Sequence, residues 1–592
     1  MEILEKLNKD YARLHSTYEK YFWLTYMGNA GANKQMDAAM HKRDAFRSNK
    51  KLAKQVDDAL VKAKGEVKQR LLHWKNFFSL FQTPDAALPI KEEVTNLESE
   101  IHKIRTTRKE GYVDPYTNEF TEASENKMRG ILSTNTDEKI RKAVFEELQK
   151  LPHTTVDLFA KLIVKRNEFA RVLGYENFYA YKAKLDENMT LNELFSIFEK
   201  IYEKTHYVYD NIRALEKTTP GITKPWNFTY MATGDFTAEE DPYFKIDDAL
   251  IRWGTTFSAL GADLAGGTVV LDLLDRKGKW NNGFCHWPKT VSYNKNKRIP
   301  GTSQISCNIV LGQIGEGFNE GHNTLFHEGG HAVHYLNSVQ KDVILNHEYP
   351  PSSVSWAETQ SGFMDAFLSS IEWATRYANY PFELFEKKKR RLHFLAPLSI
   401  LSINSVMELE RRLYEEKNIS SEAILKIAYE VNRKFSGLSE ATLNLLNIPH
   451  IYSWESSAYY HGYGLAKLQV CQLREYFYKK YGYIVDNPNI GKEMKKVWKL
   501  GASKPSNEFI KIVTGKKISA DAYIKVVTAS VDQILKEAKQ KIRRLEKVKR
   551  YTKPINLNGT VVIVHGDKKI ADSKKGFEIM AEKYKKWLNT QK

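Results

Sequence analysis

The stretch LFHEGGHAVHYL, residues 325–336, sets two histidines four residues apart, with Glu328 directly after the first. Its apolar residues predict a buried helix. Residues four apart project from the same face of a helix, so His327 and His331 can bind one metal ion through their imidazole nitrogens. Glu328 then lies beside that ion, within reach of a water molecule. The HExxH pattern is typical of hydrolytic zinc sites, in which it supplies two ligands and a general base.

Two adjacent glycines, Gly329 and Gly330, interrupt this otherwise strong helix. Glycine inside a helix costs roughly 0.5–1 kcal/mol relative to alanine. We therefore expect a partner helix or a bound substrate strand to approach the helix backbone closely here.

A zinc site of this kind needs a third protein ligand. Position 337 is Asn, which excludes the class with a third His ten residues after the first. His334 lies on the same helix as His327 and His331, and three ligands on one helix cannot surround a tetrahedral ion well. Glu348 lies in a turn-rich stretch, where its side chain would be poorly held. Glu358, in the predicted helix SWAETQSGFMDAFLSSIEW, is the preferred ligand. Asp365 on that helix either orients a ligand histidine or faces water.

Hydrolysis at such a site also needs hydrogen-bond donors for a developing oxyanion. The best candidates lie in IPHIYSWESSAYYHGYGLAKLQ, residues 448–469, where Gly462 and Gly464 are expected to leave room for a ligand. The candidate side chains are His450, Tyr452, Tyr459, Tyr460, His461 and Tyr463. The alternative interpretation of so many aromatic residues is core packing.

Helical periodicity dominates the rest of the chain, beginning with residues 2–27. Thr190 with Glu193 predicts a capping box at the start of an amphipathic helix. TVVLDLL (268–274) and QISCNIVLG (304–312) predict strands of a small sheet beside the 325–336 helix. TVVIVHG (560–566) followed by KGFEIMAEKYKKWL predicts one strand and one helix as an appended element.

The composition is that of a soluble globular protein, with 592 residues, 42% hydrophobic and 27% charged. The first residues lack the apolar core of a secretory signal, and the sequence predicts no membrane span. Cys285, Cys307 and Cys471 lie far apart and form no CxxC pair, so we expect reduced thiols. These features together predict a cytoplasmic protein.

The net charge of +18 is concentrated at the C-terminus, where residues 536–592 hold 17 Lys and Arg against 6 Asp and Glu. A solvated basic extension is one interpretation. The other is a patch for nucleic acid, a membrane surface or an acidic partner. Because no nucleic-acid motif accompanies the charge, nucleic-acid binding is not expected, whereas an anionic partner stays open.

Four segments carry a family resemblance, and they occur in one order along the chain: DLLDRKGKWNNGFC (272–285), TLFHEGGHAVH (324–334), SWAETQSGFMD (355–365) and PHIYSWESSAYYHGYG (449–464). Together they resemble the oligopeptidase family of zinc metallopeptidases that includes thimet oligopeptidase and oligoendopeptidase F. The resemblance implies a mainly α fold, a two-lobed helical shell around a deep substrate channel. It also implies one zinc ion and short unstructured peptides as substrates.

By the same resemblance, zinc is bound by His327, His331 and Glu358, and Glu328 is the base. The residues implied to contact the substrate or stabilise its oxyanion are His450 and one or more of Tyr459, Tyr460 and Tyr463. We expect His450, Tyr460 and Tyr463 to act in catalysis. Independently of the resemblance, the expected substrate contacts are Tyr452, Tyr459, His461 and Asn308. The Gly and Tyr spacing departs from the family's usual series, so which tyrosine donates to the oxyanion stays open. The QISCNIV strand, which contains Asn308, is expected to pair with the substrate backbone.

The sequence therefore predicts three units: an N-terminal helical lobe (1–185), a zinc-binding catalytic lobe (186–535) and the basic extension (536–592). The predicted function is zinc-dependent endopeptidase activity on short peptides. A metallocarboxypeptidase is one alternative, and it would need a cation to bind the substrate's terminal carboxylate. A non-catalytic metal-containing scaffold with a basic anion-binding tail is the other. The sequence does not indicate an oligomeric state.

Overall fold

The computed structural model of the protein describes residues 2–123, 125–276, 278–280, 282–347 and 352–591. Helices make up most of it, with one small mixed sheet and two short hairpins. The mainly α fold predicted from the sequence is confirmed. Glu348, the alternative third ligand considered above, lies outside the described residues.

Within the described ranges, thirteen α-helices precede the main sheet. They are α1 (Glu2–Tyr26), α2 (Asn33–Arg47), α3 (Lys50–Lys62), α4 (Gly65–Ser79), α5 (Leu88–Thr107), α6 (Glu125–Thr134), α7 (Glu138–Lys150), α8 (Val156–Val172), α9 (Phe178–Glu187), α10 (Leu191–Thr205), α11 (Val208–Leu215), α12 (Phe228–Glu240) and α13 (Ile246–Leu260). A hairpin of β1 (Gly111–Val113) and β2 (Phe120–Glu122) lies between α5 and α6. At α10, Thr190 and Glu193 form the predicted capping box.

The helices that follow the central strands along the chain include the two that carry the candidate site. They are α14 (Glu316–Phe318), α15 (Leu325–Leu336), α16 (Val354–Asp365), α17 (Ile371–Ala378), α18 (Phe382–Leu392), α19 (Leu398–Glu415), α20 (Ser421–Lys434), α21 (Tyr460–Tyr481), α22 (Pro488–Trp498), α23 (Ser506–Thr514), α24 (Asp521–Thr528), α25 (Val531–Glu546) and α26 (Phe577–Asn589). A π-helical turn, Asn319–Thr324, leads directly into α15.

Both strands predicted in the middle of the chain are present. The strands of this part are β3 (Thr268–Leu274), β4 (Phe284–Lys289), β5 (Ser292–Asn294), β6 (Lys297–Ile299) and β7 (Thr302–Ile309), and the C-terminal ones are β8 (Thr560–His565) and β9 (Lys568–Asp572). Five of them form one sheet in the order β4-β7-β3-β8-β9, and β5 pairs with β6. Strands β7 and β8 run parallel to β3 on its two sides.

The C-terminal residues are not the appended element that the sequence predicts. Strand β8 pairs with β3 from Thr268 opposite Thr560 to Asp272 opposite Val564, so it lies inside the sheet. Val561 and Ile563 are buried there. Helix α26 packs against β9 and α13. The place of β8 inside the sheet is hard to predict because the segment is dominated by its net charge, whereas only a few apolar residues hold the strand there. The boundary predicted between residues 185 and 186 stays a prediction.

The two glycines of the HEGGH stretch explain how α15 packs against its neighbours. A Cβ on Gly330 would lie 2.6 Å from the Gln360 carbonyl oxygen and 2.8 Å from the Ser361 Cα, both on α16. A Cβ on Gly329 would lie 2.4 Å from the Trp253 indole nitrogen on α13. Close packing against neighbouring helices therefore explains both glycines. Of the two predicted explanations, a partner helix or a substrate strand, the structure shows the first.

One helical stretch within the described residues, Phe382–Glu415, is long and apolar enough to cross a membrane by length and composition alone. Its most apolar window is 56% buried inside the protein. Core helices of soluble proteins pass the same test, so the stretch is weak evidence for a membrane span. The three cysteines are free thiols, as predicted.

Gly330→Ala tests the helix contact. We expect it to lower the free energy of unfolding by about 1–3 kcal/mol, because the new methyl overlaps the α16 backbone. Gly130→Ala is the matched control, since a Cβ there meets no atom within 4 Å and α6 is an ordinary helix. Urea unfolding followed by circular dichroism measures both. Equal stability of the two variants would contradict the close contact.

Truncation after residue 559 tests the place of β8. We expect the shortened protein to aggregate, because removing β8 opens the edge of β3 and exposes its apolar face. Soluble yield and size-exclusion chromatography measure this. The control is a full-length variant in which three exposed lysines of the segment are replaced by glutamine, and this variant should stay soluble. The three are Lys568, Lys574 and Lys583. A soluble, folded truncated protein would show that the sheet does not need β8.

Candidate metal centre and active site

The helix α15 presents His327 and His331 on one face, with their ring centroids 5.1 Å apart. It follows β7 through the π-helical turn, so the sheet fixes the point where the helix begins. His331 is buried, and His327 is half-buried. Their spacing of four residues brings both rings to the same side, as the sequence predicts.

The third predicted ligand, Glu358, lies opposite these rings on α16. Its Oε2 atom is 3.3 Å from His327 Nε2 and 3.8 Å from His331 Nε2. Ligand atoms of the three residues all lie within 4.8 Å of one another. Ser361 Oγ donates a hydrogen bond to Glu358 Oε2 at 3.2 Å. His334 is fully buried and is not part of this cluster.

The N-terminus of α16 is fixed by a buried carboxylate, which sets where Glu358 lies. Glu187 accepts hydrogen bonds from the Ser355 backbone N–H and from the Ser353 and Ser355 hydroxyls, at 2.6–2.8 Å. A negative charge at a helix N-terminus is favourable. Burial raises the pKa of Glu187 to about 7, against the lowering effect of these hydrogen bonds.

Asp365 orients His327 and does not simply face water. Its Oδ2 atom accepts a hydrogen bond from His327 Nδ1 at 2.8 Å, at the far end of α16 from Glu187. This bond leaves His327 Nε2 facing Glu358 as a ligand atom. Carboxylate–histidine pairs of this kind fix the ring and strengthen it as a ligand.

Charges in the cluster favour a cation at its centre. Burial lowers the pKa of His327, but the hydrogen bonds with Asp365 and Glu358 raise it well above its ordinary value. Burial raises the pKa of Glu358, but the hydrogen bond from His327 and the charge of His331 bring it down to about 2. Two imidazoles and a carboxylate are a ligand set that suits zinc. The residues present therefore fit a bound divalent ion.

Glu328 lies at the N-terminal end of α15, where β4 begins. It is 7% exposed, and a Cβ placed on Gly283 would lie 3.6 Å from its Oε1 atom. The same Cβ would lie 2.3 Å from Thr324, so Gly283 lets the chain pass close over the helix start. Sequence analysis quoted this glycine only as part of a family motif. Its contact with Glu328 is visible only in the structure.

The predicted oxyanion donors form one aromatic cluster. Tyr463 lies 5.6 Å from Tyr460, 5.3 Å from Tyr459 and 6.5 Å from His450, measured between ring centroids. Burial raises the pKa of Tyr463, and the charges of Glu358, first, and Glu328 raise it further. The charges of Glu358 and Glu328 thus act on Tyr463, whereas the charges that act on Tyr460 come from other residues.

Two predicted substrate contacts lie in the interior instead. Tyr452 donates a hydrogen bond to the Leu446 carbonyl at 2.6 Å and packs edge-on against Phe159. His461 is fully buried, with its Nδ1 atom 3.4 Å from the Tyr179 hydroxyl. For these two, the core-packing interpretation describes what the structure shows. Helical geometry explains His461, because it points away from the side of α21 that carries Tyr460 and Tyr463.

The glycines of this segment also serve packing and do not leave room for a ligand. A Cβ on Gly462 would lie 2.7 Å from the Val354 side chain, and one on Gly464 would lie 2.5 Å from the Phe198 ring. They allow α21 to pack closely against α16 and α10. The prediction of open space at these two positions is wrong.

The strand predicted to pair with a substrate, β7, has β3 along one edge as far as Ile309 and β4 along the other only from Thr302 to Ser306, so most of its length is already paired. The free edge of the sheet on this side belongs to β4. Asn308 on β7 is 7% exposed, and its side-chain amide has no hydrogen-bond partner within the described ranges. Its backbone N–H donates to Glu320. Strand order could not be read from the sequence pattern.

Comparisons with known proteins agree with this geometry. The profile of peptidase family M3 matches residues 131–528, more than half of the chain. No curated protein sequence matches. Pz peptidase A, solved with an inhibitor, aligns with a TM-score of 0.59 at 17% identity over 91% of this chain and 98% of its own. Trypanosoma cruzi metallocarboxypeptidase 1 aligns with a TM-score of 0.59 at 15% identity, over 91% of this chain and 99% of its own.

At these identities the two structures show a shared fold. The profile match covers the HExxH helix, the helix of Glu358 and the aromatic cluster in one continuous range. The family resemblance inferred from the sequence motifs is thereby confirmed. The chain belongs to peptidase family M3 and is a metallopeptidase.

Proposed function

We propose that the protein is a zinc-dependent endopeptidase that hydrolyses short unstructured peptides. The observation that carries this proposal is the convergence of His327, His331 and Glu358 within 4.8 Å, next to Glu328. When bound, zinc would polarise the scissile carbonyl and make water acidic enough to lose a proton near neutral pH. A peptide substrate and a cytoplasmic location are both part of this proposal. The free cysteines support the cytoplasmic location.

Glu328 is the residue that moves the proton. Its carboxylate takes a proton from the attacking water and then delivers it to the amine that leaves. The water oxygen forms the new bond to the carbonyl carbon, and the carbon–nitrogen bond of the peptide breaks. Burial of Glu328 beside Gly283 keeps its carboxylate next to the strand that borders the site.

Hydrogen-bond donors for the oxyanion come from the aromatic cluster. The raised pKa of Tyr463 keeps its phenol protonated at neutral pH, so its O–H can donate. The phenol of Tyr460 is also protonated at neutral pH, since burial raises its pKa. Burial lowers the pKa of His450, so a neutral imidazole with one N–H is favoured there.

A cavity of about 1230 Å³ beside β4 supports the choice of oligopeptides as substrates. It is lined by Cys285, His286 and Trp287 of this strand, by the N-terminal helices α1 and α2, and by Trp454. This volume holds several residues of an extended peptide and excludes a folded domain. Carboxypeptidase activity is the second candidate, because one protein with the same fold is named a metallocarboxypeptidase.

Glu328→Gln tests the proposed mechanism on an end-blocked, internally quenched peptide of about ten residues. We expect hydrolysis to fall at least 100-fold, because the general base is lost, while zinc stays bound. The wild-type activity should disappear with a chelator and return with zinc. Turnover by a zinc-replete Glu328→Gln protein would contradict the role of Glu328. Cleavage of the free-acid peptide alone would favour the carboxypeptidase.

Asp365→Asn tests the orientation of His327. We expect zinc affinity to fall about 10- to 100-fold, because the amide binds the ring more weakly and no longer fixes it. Competition with a chromophoric chelator measures the affinity. Asp532→Asn is the control, since that side chain is 85% exposed and pairs with Arg390 on the surface. Equal zinc affinity of the two variants would show that Asp365 does not support the ligand.

A further inference from the structure

The cavity beside β4 contains a charged group that the proposed mechanism does not use. Strand β4 begins next to Gly283, which lies against Glu328, and continues into the cavity wall at Cys285 and His286. Strand residues are spaced about 3.3 Å apart, so the cavity wall begins about 7 Å beyond Gly283. A peptide that followed this strand from Gly283 would therefore meet the cavity two or more residues from its scissile bond.

Lys91, on the first turns of α5, faces this cavity from the opposite wall. Among the described residues, its ammonium has no hydrogen bond and no ion pair. The close partner of the Nζ atom is the Trp454 ring, whose centroid lies 5.5 Å away. Trp454 belongs to the same 448–469 segment as the aromatic cluster of the site. An aromatic face attracts a cation but leaves its hydrogen-bond donors without acceptors.

The two carboxylates whose charges act on Lys91, Asp44 and Glu98, are already bound to other cations. Asp44 accepts from Arg43 and Arg47, each at 3.4 Å, and Glu98 accepts from Arg166 at 2.8 Å. Their charges act on Lys91 only through space. Burial lowers the pKa of Lys91, as expected for an ammonium that is partly withdrawn from water without a counter-ion. A carboxylate entering the cavity would supply that counter-ion.

We propose that Lys91 is a specificity residue that binds a carboxylate of the substrate peptide, two or more residues from the scissile bond. Aromatic rings of the cavity wall, among them Trp454, Tyr181 and Phe169, flank the place where that residue would lie. The carboxylate comes either from an Asp or Glu side chain or from the C-terminus of a short peptide. This inference rests on the proposed peptidase function for its biological meaning.

The experiment compares four quenched peptides of one sequence, with Asp or Asn at a set distance from the scissile bond and with a free or amidated C-terminus. The wild-type protein should show a higher kcat/KM for the peptides with a carboxylate. In Lys91→Met this preference should fall about 10- to 100-fold, the size expected for a charged hydrogen bond. Lys91→Arg should retain part of it. Lys75→Met, an exposed lysine paired with Asp57 outside the cavity, is the control.

A binding assay separates this inference from the proposed function. It measures the affinity of the same labelled peptides for the Glu328→Gln protein and for the Glu328→Gln, Lys91→Met double variant. If carboxylate peptides bind more tightly and Lys91→Met removes the difference, Lys91 has the proposed role even if no peptide is hydrolysed. If Lys91→Met leaves the preference unchanged in both assays while melting normally, the proposal is overturned. The Asp–Asn pair and the acid–amide pair identify which source of the carboxylate is bound.

Discussion

The close contact between α15 and α16 is the constraint on which the site depends. Gly330 lies between the two ligand histidines in sequence, and the α16 backbone at Gln360 and Ser361 passes where its side chain would be. Glu358 is one turn before Ser361, so the contact that requires glycine also holds the third ligand opposite the first two. Any larger residue at position 330 would separate the helices and, with them, the ligand atoms.

The electrostatics of the site follow from that packing. Once α16 is fixed, its two carboxylates lie on either side of His327, with Asp365 at Nδ1 and Glu358 at Nε2. Burying acidic groups is unfavourable unless a positive charge accompanies them. In the protein alone His327, whose pKa is raised by Asp365 and Glu358, favours that positive charge, and a divalent ion would supply a stronger one. The same arrangement thus explains the perturbed pKa values and the fit to zinc.

The sheet joins parts of the chain that are far apart in sequence. Strand β4 lies beside Glu328 at one end and the cavity at the other, while β8 from the C-terminus pairs with β3 in the sheet interior. The basic charge of residues 536–592 is therefore carried by a segment that the fold needs. The sheet gives its strands different surroundings, since β7 lies between β3 and β4 whereas β4 is at the edge of the sheet.

Local spacing was enough to predict the helix of His327 and His331 with Glu328 beside them, the capping box at Thr190 and the two central strands. Glu358 and Asp365 could also be selected as candidates from the sequence, because both lie on the predicted helix that follows the helix of His327 and His331. The three-dimensional fold was needed to show that Tyr452 and His461 pack inside, that Tyr463 joins Tyr460 and His450 in one cluster, that β8 enters the sheet and that Lys91 lines the cavity. The physical reason is that helix and strand periodicity show which face of an element is buried but not which distant element buries it.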